Sequence, residues 1–429
     1  MTDSTPTTPA DERPLISPSR VAVRAQLQLH WGQVMSVLVS QLGDLQRADE
    51  ALRDAADAAV ELWPHEGAPA APKAWLLRAA RRKAIDQYRR ELRHQQKQDQ
   101  ILSLSGASRD AQADSTVPDL RLQLMLSCTH PVLEPRVRVA LLLHCVCGLD
   151  AAQIAQAMQI SEISLAQQVA RAKKRLRGVS GAFLMPPAEQ WPRRRDTLLE
   201  AVLGVYRSGH VAEPVARRGE NTCELGLWLS QLLLETATQD SEVISLAAFL
   251  QITQACEAGR LGPDGELLAP EDQNIARWDN AQISRANSLL SEALELGNQG
   301  PQQLQACIAA EQVCAMAAGR AIDWNAVLGY YQSLYGHWPT ETVALSAAIA
   351  VGKCKGARDG LAALEQLASQ KDFRTGVAYF TAQADMLIQL GQRSAARQAL
   401  AQAMACPHIS PSKRIAIERR LVSLGGKVA

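Results

Sequence analysis

Nowhere along the chain do apolar and polar residues alternate with the period of two that a half-buried strand requires. Ala and Leu recur instead at helical spacings, in segments broken by Gly, Pro and Asp. Aromatic residues make up only 4%. These features point to an all-α chain. Its 429 residues allow two to four domains at about 100–200 residues each, with ample material for buried cores.

Whole classes fall away on similar grounds. No apolar run approaches the roughly 18–20 residues of a membrane span, so no membrane partner is expected. The N-terminal MTDSTPTTPADERP has neither a basic start nor an apolar stretch, unlike a signal peptide. The nine cysteines are odd in number, irregularly spaced and without a CxxC pair, as expected of free thiols in a cytoplasmic protein. The eight histidines are scattered without metal-ligand spacing, and no GxSxG, P-loop, HExxH or strand-led GxGxxG occurs. The expectation is a non-enzyme with no catalytic residue, metal or cofactor. Glu271-Asp272 reads as a cap for the helix near Trp278, and Trp228, Trp278, Trp324 and Trp338 as core residues.

The net charge of +1 hides an asymmetry. Residues 1–178 hold 23 Lys and Arg against 19 Asp and Glu, or +4; residues 179–429 hold 22 against 25, or −3. The two halves should meet different partners. Composition divides the chain further. Residues 1–18 form a Thr/Pro/Ser-rich tail; 19–98 are helical; 99–119 are a linker, polar from Ser103 onward; and 120–180 form a compact helical unit. A helical middle domain covers 181–297, and 298–429 carry short helices with a repeat. GARDGLAALEQL from Gly356 and GQRSAARQALAQAM from Gly391 align 35–36 residues apart. That spacing fits a TPR-like array of stacked helix pairs, whose concave surface suits a protein or peptide partner.

Two basic elements carry the functional signal. The segment Lys73–Lys97 holds nine Lys and Arg against two acids. At about 100° per residue, Arg78, Arg82, Arg89 and Arg93 fall within about 60°, and Leu77, Ala80, Ala84, Tyr88 and Leu92 form a stripe about 130° away. One face can pack while the other presents guanidinium groups to phosphates. Trp75 and Tyr88 offer flat surfaces on which an unpaired base could stack.

The second element, residues 136–177, reads as a long apolar helix, a short helix from Ala151 to Met158, a tight Gln159–Ile160 turn and a last helix. Asp150 and Ser161 stand where the N-caps of the two later helices belong. This is a helix-turn-helix pattern. Leu165, Val169, Ala172 and Leu176 gather on one side of the last helix. Ser164, Gln167, Gln168, Arg171, Lys174 and Arg175 lie opposite, the amides, hydroxyl and cations that reading a major groove needs.

These residues resemble a known family. PKAWLLRAARRKAIDQYRRE, from Pro72, resembles region 2 of extracytoplasmic-function (ECF) sigma factors of the sigma-70 family, and the stretch from LSCTHPVLEP to ARAKKRLR, 126–177, resembles their region 4. The FLMPP run after it, GPDGELLAPEDQNIARWDNAQI and GPQQLQACIAAEQ are similar to the subgroup with a long TPR-like C-terminal extension. The resemblance implies a sigma region 2 bundle at 19–98, region 4 at 120–180 and a TPR-like domain at the end. It implies core RNA polymerase and promoter DNA as partners. Arg78, Arg82, Arg89 and Arg93 would then lie in the promoter-melting helix, and Ser164, Gln167, Gln168, Arg171, Lys174 and Arg175 on the helix reading the minus-thirty-five element.

Arg53 and Asp54 would lie on the polymerase-binding helix, although many ECF sigma factors have Gln where Arg53 stands. VYRSGHV, Val205–Val211, replaces a longer run of the subgroup. The implied function is a sigma factor regulated by its own C-terminal extension. Two other readings stay open: a degenerate sigma-like protein, and a helix-turn-helix regulator with a TPR interaction domain, neither of which initiates transcription.

Overall fold

The structure, a computed structural model, describes residues 19–95, 119–210, 222–237, 239–297, 299–370, 373–407 and 409–425. The N-terminal tail lies outside the described residues, as does all of the expected linker except Asp119. Among the described residues there is no strand, only an isolated bridge between Leu261 and Leu267, so the fold is all-α. The chain divides into two compact units, Met1–Ala201 and Val202–Ala429.

The first unit opens with α1 (Arg20–Leu42), α2 (Leu45–Glu66) and α3 (Pro72–Gln95), each packed on the other two. The Ser19 hydroxyl caps α1; Gly43, at φ +63°, ends it; and the Asp44 carboxylate caps α2 by accepting from Gln46 and Arg47 amides. Leu38, Leu52, Ala55, Leu76 and Ala80 are fully buried. Trp75 meets Trp63 edge-to-face with centroids 5.3 Å apart, and the Arg47 guanidinium lies 5.4 Å over the Tyr88 ring. The two aromatics read as base-stacking surfaces are half-buried and each also touches a residue of α2.

The unit continues with α4 (Arg121–Cys128), α5 (Pro135–Leu141), a π turn over Leu142–Val146, α6 (Ala151–Met158) and α7 (Glu162–Arg177). Helix α1 packs directly on α4 and on the π turn. A Cβ at Gly32 would sit 2.5 Å from the Val146 carbonyl oxygen, and one at Gly148 would sit 2.9 Å from the Trp31 side chain. Backbone therefore touches backbone where α1 meets the helix-turn-helix segment. Gly32→Ala should lower stability by about 1–3 kcal/mol, as overpacking does, and a shifted urea midpoint would show it. An unchanged midpoint would mean that α1 and the π turn can move apart without cost.

Helix α8 (Trp191–His210) contains the division between the units. Its Arg194 is 6% exposed and donates to the Leu126 carbonyl at 2.8 Å, so the first unit extends past residue 180.

The second unit is a succession of helices: α9 (Thr222–Thr236), α10 (Ser241–Ala255), α11 (Asn280–Glu295), α12 (Pro301–Ala317), α13 (Trp324–His337), α14 (Glu341–Lys355), α15 (Ala357–Ala368), α16 (Val377–Gln389), α17 (Arg393–Ala405) and α18 (Pro411–Ser423). Each packs on the next in sequence. Helices α14 and α16 begin at 341 and 377, and α15 and α17 at 357 and 393, a repeat of 36 residues in both cases.

The Glu242 carboxylate, 2% exposed, accepts from the Gln302 and Gln303 amides at 2.9 and 3.1 Å and so caps the N-terminus of α12 from another helix. Trp278 is buried, and Trp324 and Trp338 pack around Leu304, Val327 and Leu334, but Trp228 is 39% exposed. Asp279, rather than Glu271-Asp272, caps α11, accepting from the Gln282 amide at 2.9 Å. Glu271 instead pairs with Lys353 of α14.

Candidate nucleic-acid interface

Local chemistry sets the helix-turn-helix. Asp150 and Gln153 form a reciprocal capping box at the start of α6, with both bonds at 2.8 Å. Gln159 ends α6 in the left-handed region at φ +53°, the sole positive φ among the described non-glycine residues. Ser161 then caps α7 by accepting from the Ser164 amide at 3.2 Å. Leu165, Ala172 and Leu176 are buried beneath α7.

The opposite face of α7 is open. Gln167, Arg171, Lys174 and Arg175 are exposed, and Ser164 and Gln168 are half-buried. Gln168 donates its amide to the Ser164 hydroxyl at 2.9 Å, and Arg171 donates to the Gln167 carbonyl at 3.3 Å. Arg136, on the first turn of α5, joins this face across a cleft of about 500 Å³ lined also by Gln168, Arg171 and Arg175. Three arginines from two helices thus line one opening together with Glu134, and their surplus of positive charge suits phosphate oxygens flanking a groove. Sequence reasoning missed Arg136. It stands 35 residues before Arg171 and outside the last helix, and only folding brings the two together.

On α3, Arg78, Arg82 and Arg89 are exposed along one side. Arg93 lies in the last turn of the same helix, its side chain outside the described ones. The two cationic surfaces, this line and the face of α7, stand on different helices.

Arg53 and Asp54 are both exposed on α2, but Arg53 leans inward. Its Nε donates to Asp49 Oδ1 at 3.1 Å, and its NH2 lies 3.0 Å from His144 Nε2. Asp49 is the centre of a buried cluster that sequence reasoning did not find. Lys173 of α7 donates to Asp49 Oδ2 at 2.6 Å, and His144 Nε2 lies 2.9 Å from Oδ1. The side chains of Asp49, His144 and Lys173 are 4%, 6% and 6% exposed.

His144 Nδ1 donates to the Leu149 carbonyl at 3.2 Å, and Nε2 lies between the Asp49 carboxylate and the Arg53 guanidinium. Burial is the largest single influence and pushes the imidazole pKa down, but the hydrogen bond to Asp49 and the neighbouring charges of Cys145 and Asp49 together turn the net direction up. Burial pushes the Asp49 carboxyl up, yet His144, Lys173 and Arg53 together hold it well below the ordinary carboxylate range. One signal for Lys173 was available in the sequence. At about 100° per residue it falls roughly opposite Ser164, away from the side that carries Gln167, Arg171, Lys174 and Arg175.

Among the described residues no group of three or more His, Cys, Asp or Glu is arranged to hold a metal ion, and no helix is long and apolar enough to cross a membrane.

Parts of the chain are similar to known proteins. Residues 123–176 match the model of "Sigma-70, region 4", and residues 194–294 match a "Family of unknown function (DUF6596)". An uncharacterized protein of Rhizobium meliloti (strain 1021) is 30% identical over 383 residues, which cover 87% of this chain and 89% of that protein. No solved structure matches.

Proposed function

The chain belongs to the family of that Rhizobium meliloti protein and carries a sigma-70 region 4 domain, and from this premise we propose that it is an ECF sigma factor that brings core RNA polymerase to promoters. The observation that carries the reading is the capped helix-turn-helix whose second helix buries Leu165, Ala172 and Leu176 and exposes Gln167, Arg171, Lys174 and Arg175. Exposed Gln167 reads base edges, and the cations hold phosphates. The exposed Arg78, Arg82 and Arg89 give α3 the sequence-blind contacts of a promoter-melting helix. The protein works in the cytoplasm by binding alone, with no catalytic step of its own.

The helices of the second unit form a TPR-like array, in which the 36-residue repeat of α14–α17 supports a stacked-pair geometry. That array regulates the first unit and takes a protein or peptide partner. A second reading, a sigma-like protein that initiates nothing, draws support from Arg53. Instead of standing free to meet polymerase, it is engaged with Asp49 and His144.

Abortive transcription with purified core polymerase separates the two. An initiating sigma factor added to core enzyme yields short transcripts that core enzyme alone does not, whereas a non-initiating protein yields none while still binding DNA or core enzyme. A chain ending at His210 tests the extension. Higher output than full length means inhibition in cis, lower output with an intact fold means assistance, and equal output means no regulation.

A further inference from the structure

We propose that the acidic segment between α10 and α11 is a built-in pseudo-ligand on a cationic face of the second unit, and that an acidic, extended peptide of a partner protein takes its place. The partner is the peptide that the array takes on the reading above, on which this inference rests, now with a site and a chemistry. The face belongs to α14, α16 and α18, which begin at 341, 377 and 411 and so hold equivalent places in successive helix pairs. Helices α14 and α16 touch directly, and stacked pairs of this kind create the extended surfaces that such arrays use for binding.

The segment is a loop with a closed base and a separate tip. At the base the Asp279 amide donates to the Ala255 carbonyl at 3.0 Å, Trp278 is buried beside Cys256 and Ile283, and a Cβ at Gly259 would lie 2.6 Å from Trp278 Nε1. The tip is a short hairpin. The Leu268 amide donates to the Arg260 carbonyl and the Gly262 amide to the Glu266 carbonyl, both at 2.9 Å, and Gly265 turns the chain at φ +79°. Base and tip use different contacts, so the tip can leave its seat with the base intact.

The seat is made chiefly of charge. Arg419 of α18 donates to the carboxylates of Asp264 and Glu266, and Lys353 of α14 to that of Glu271. Asp272 lies close enough to the Arg420 guanidinium to offset part of its burial, and Arg420 also pairs with Asp385 of α16. Four acids of the loop thus meet three cations on two helices. A backbone bond from the Leu267 amide to the Ser412 carbonyl, at 3.1 Å, sets the register. Lys413, exposed seven residues before Arg420 and hence on the same side of α18, extends the face. Glu266 is buried, but the Asp264 and Glu271 side chains are 69% and 46% exposed. Exposed pairs are weak singly and weaken further with salt. An extended chain with carboxylates at the same spacing and a backbone amide for Ser412 makes the same contacts, which fixes the chemistry of the partner.

A tethered segment acts at an effective concentration of about 1 mM, so contacts with a dissociation constant of about 0.1 mM keep the face about tenfold more closed than open. The test measures that exclusion. A fluorescent peptide with the sequence of residues 260–273 is titrated with the full chain and its anisotropy followed. Wild type should bind it about tenfold more weakly than a variant whose tip is neutralised by Asp264→Asn, Glu266→Gln and Glu271→Gln. Adding Arg419→Glu and Lys353→Glu to that variant should abolish binding, with helical circular dichroism retained. Should the triple variant lose its helical signal, Asp264→Asn with Glu271→Gln, at the two exposed positions, carries the same expectation with a gain of about threefold.

Equal binding by wild type and the folded, neutralised variant, no binding by either, or binding that survives Arg419→Glu with Lys353→Glu overturns the pseudo-ligand. Peptide capture as expected, together with equal transcription from the full chain and the chain ending at His210, would leave the seat standing and overturn the regulatory reading alone.

Discussion

Reversing the charge at Arg171 and Arg175 together is expected to weaken binding to duplex DNA of any sequence by roughly a hundredfold, taking about 1.5 kcal/mol for each charge-assisted bond to phosphate that the change removes. Both side chains are exposed on α7 and line the cleft that Arg136 closes from α5. Neutralising two fewer phosphates should flatten the slope of log K against log salt by about 1.8. The variant and the wild type should therefore converge as salt rises. Fluorescence anisotropy on short random duplexes over a salt series measures both quantities, with the chain bound to core polymerase.

Gln167→Ala should behave differently, leaving the salt slope alone and changing the preferred sequence by about 1–3 kcal/mol at one position. Gln168 is already engaged with the Ser164 hydroxyl, so Gln168→Ala should do less. If Arg171 and Arg175 reversal changes sequence preference but not the salt slope, the roles given to the two kinds of side chain are exchanged.

The largest effect on folding is expected at Glu242. Its carboxylate is buried in the second unit and satisfies two backbone amides at the N-terminus of α12, where a negative charge also meets the positive end of the helix dipole. Alanine would leave both donors buried without an acceptor, at about 3 kcal/mol. Glutamine keeps one acceptor oxygen but places an amide donor against an amide donor, so it should recover less than half of the loss. A Cβ at Gly300 would come within 2.4 Å of the same carboxyl group, so there is little room for another side chain to take over the cap. Urea unfolding of the full chain, followed by tryptophan fluorescence, to which Trp228, Trp278, Trp324 and Trp338 of the second unit contribute beside Trp31, Trp63, Trp75 and Trp191 of the first, should show a lower midpoint for Glu242→Ala. A shift worth less than about 0.5 kcal/mol would mean that water replaces the carboxylate at the helix end.

Much of the molecule was legible from residues close together in the chain. Asp150 and Ser161 cap the two helices that their positions indicated, and Gln159 makes the tight turn between them. Leu165, Ala172 and Leu176 are buried while Gln167, Arg171, Lys174 and Arg175 are exposed, as the helical period implied. Caps and amphipathic faces are decided within a turn or two of helix, so spacing alone carries them.

Aromatic residues were harder. Trp75 and Tyr88, both half-buried, are engaged by Trp63 and Arg47, which come from a neighbouring helix that the spacing along α3 does not name. Glu271 was similar, since its partner Lys353 lies 82 residues away.

The sequence by itself determined the all-α class, the helix-turn-helix and which side of α7 faces solvent. Only the tertiary structure decided which charge meets which. Lys173 stands in a run of cations that looks uniform on paper, and Asp49 is one acid among many on an ordinary amphipathic helix. Folding removes both from water and places them 2.6 Å apart across 124 residues of chain. A hydrophobic pattern specifies burial because every apolar side chain gains from it alike. An ion pair depends on one partner at one distance, and that distance exists only once the helices have packed.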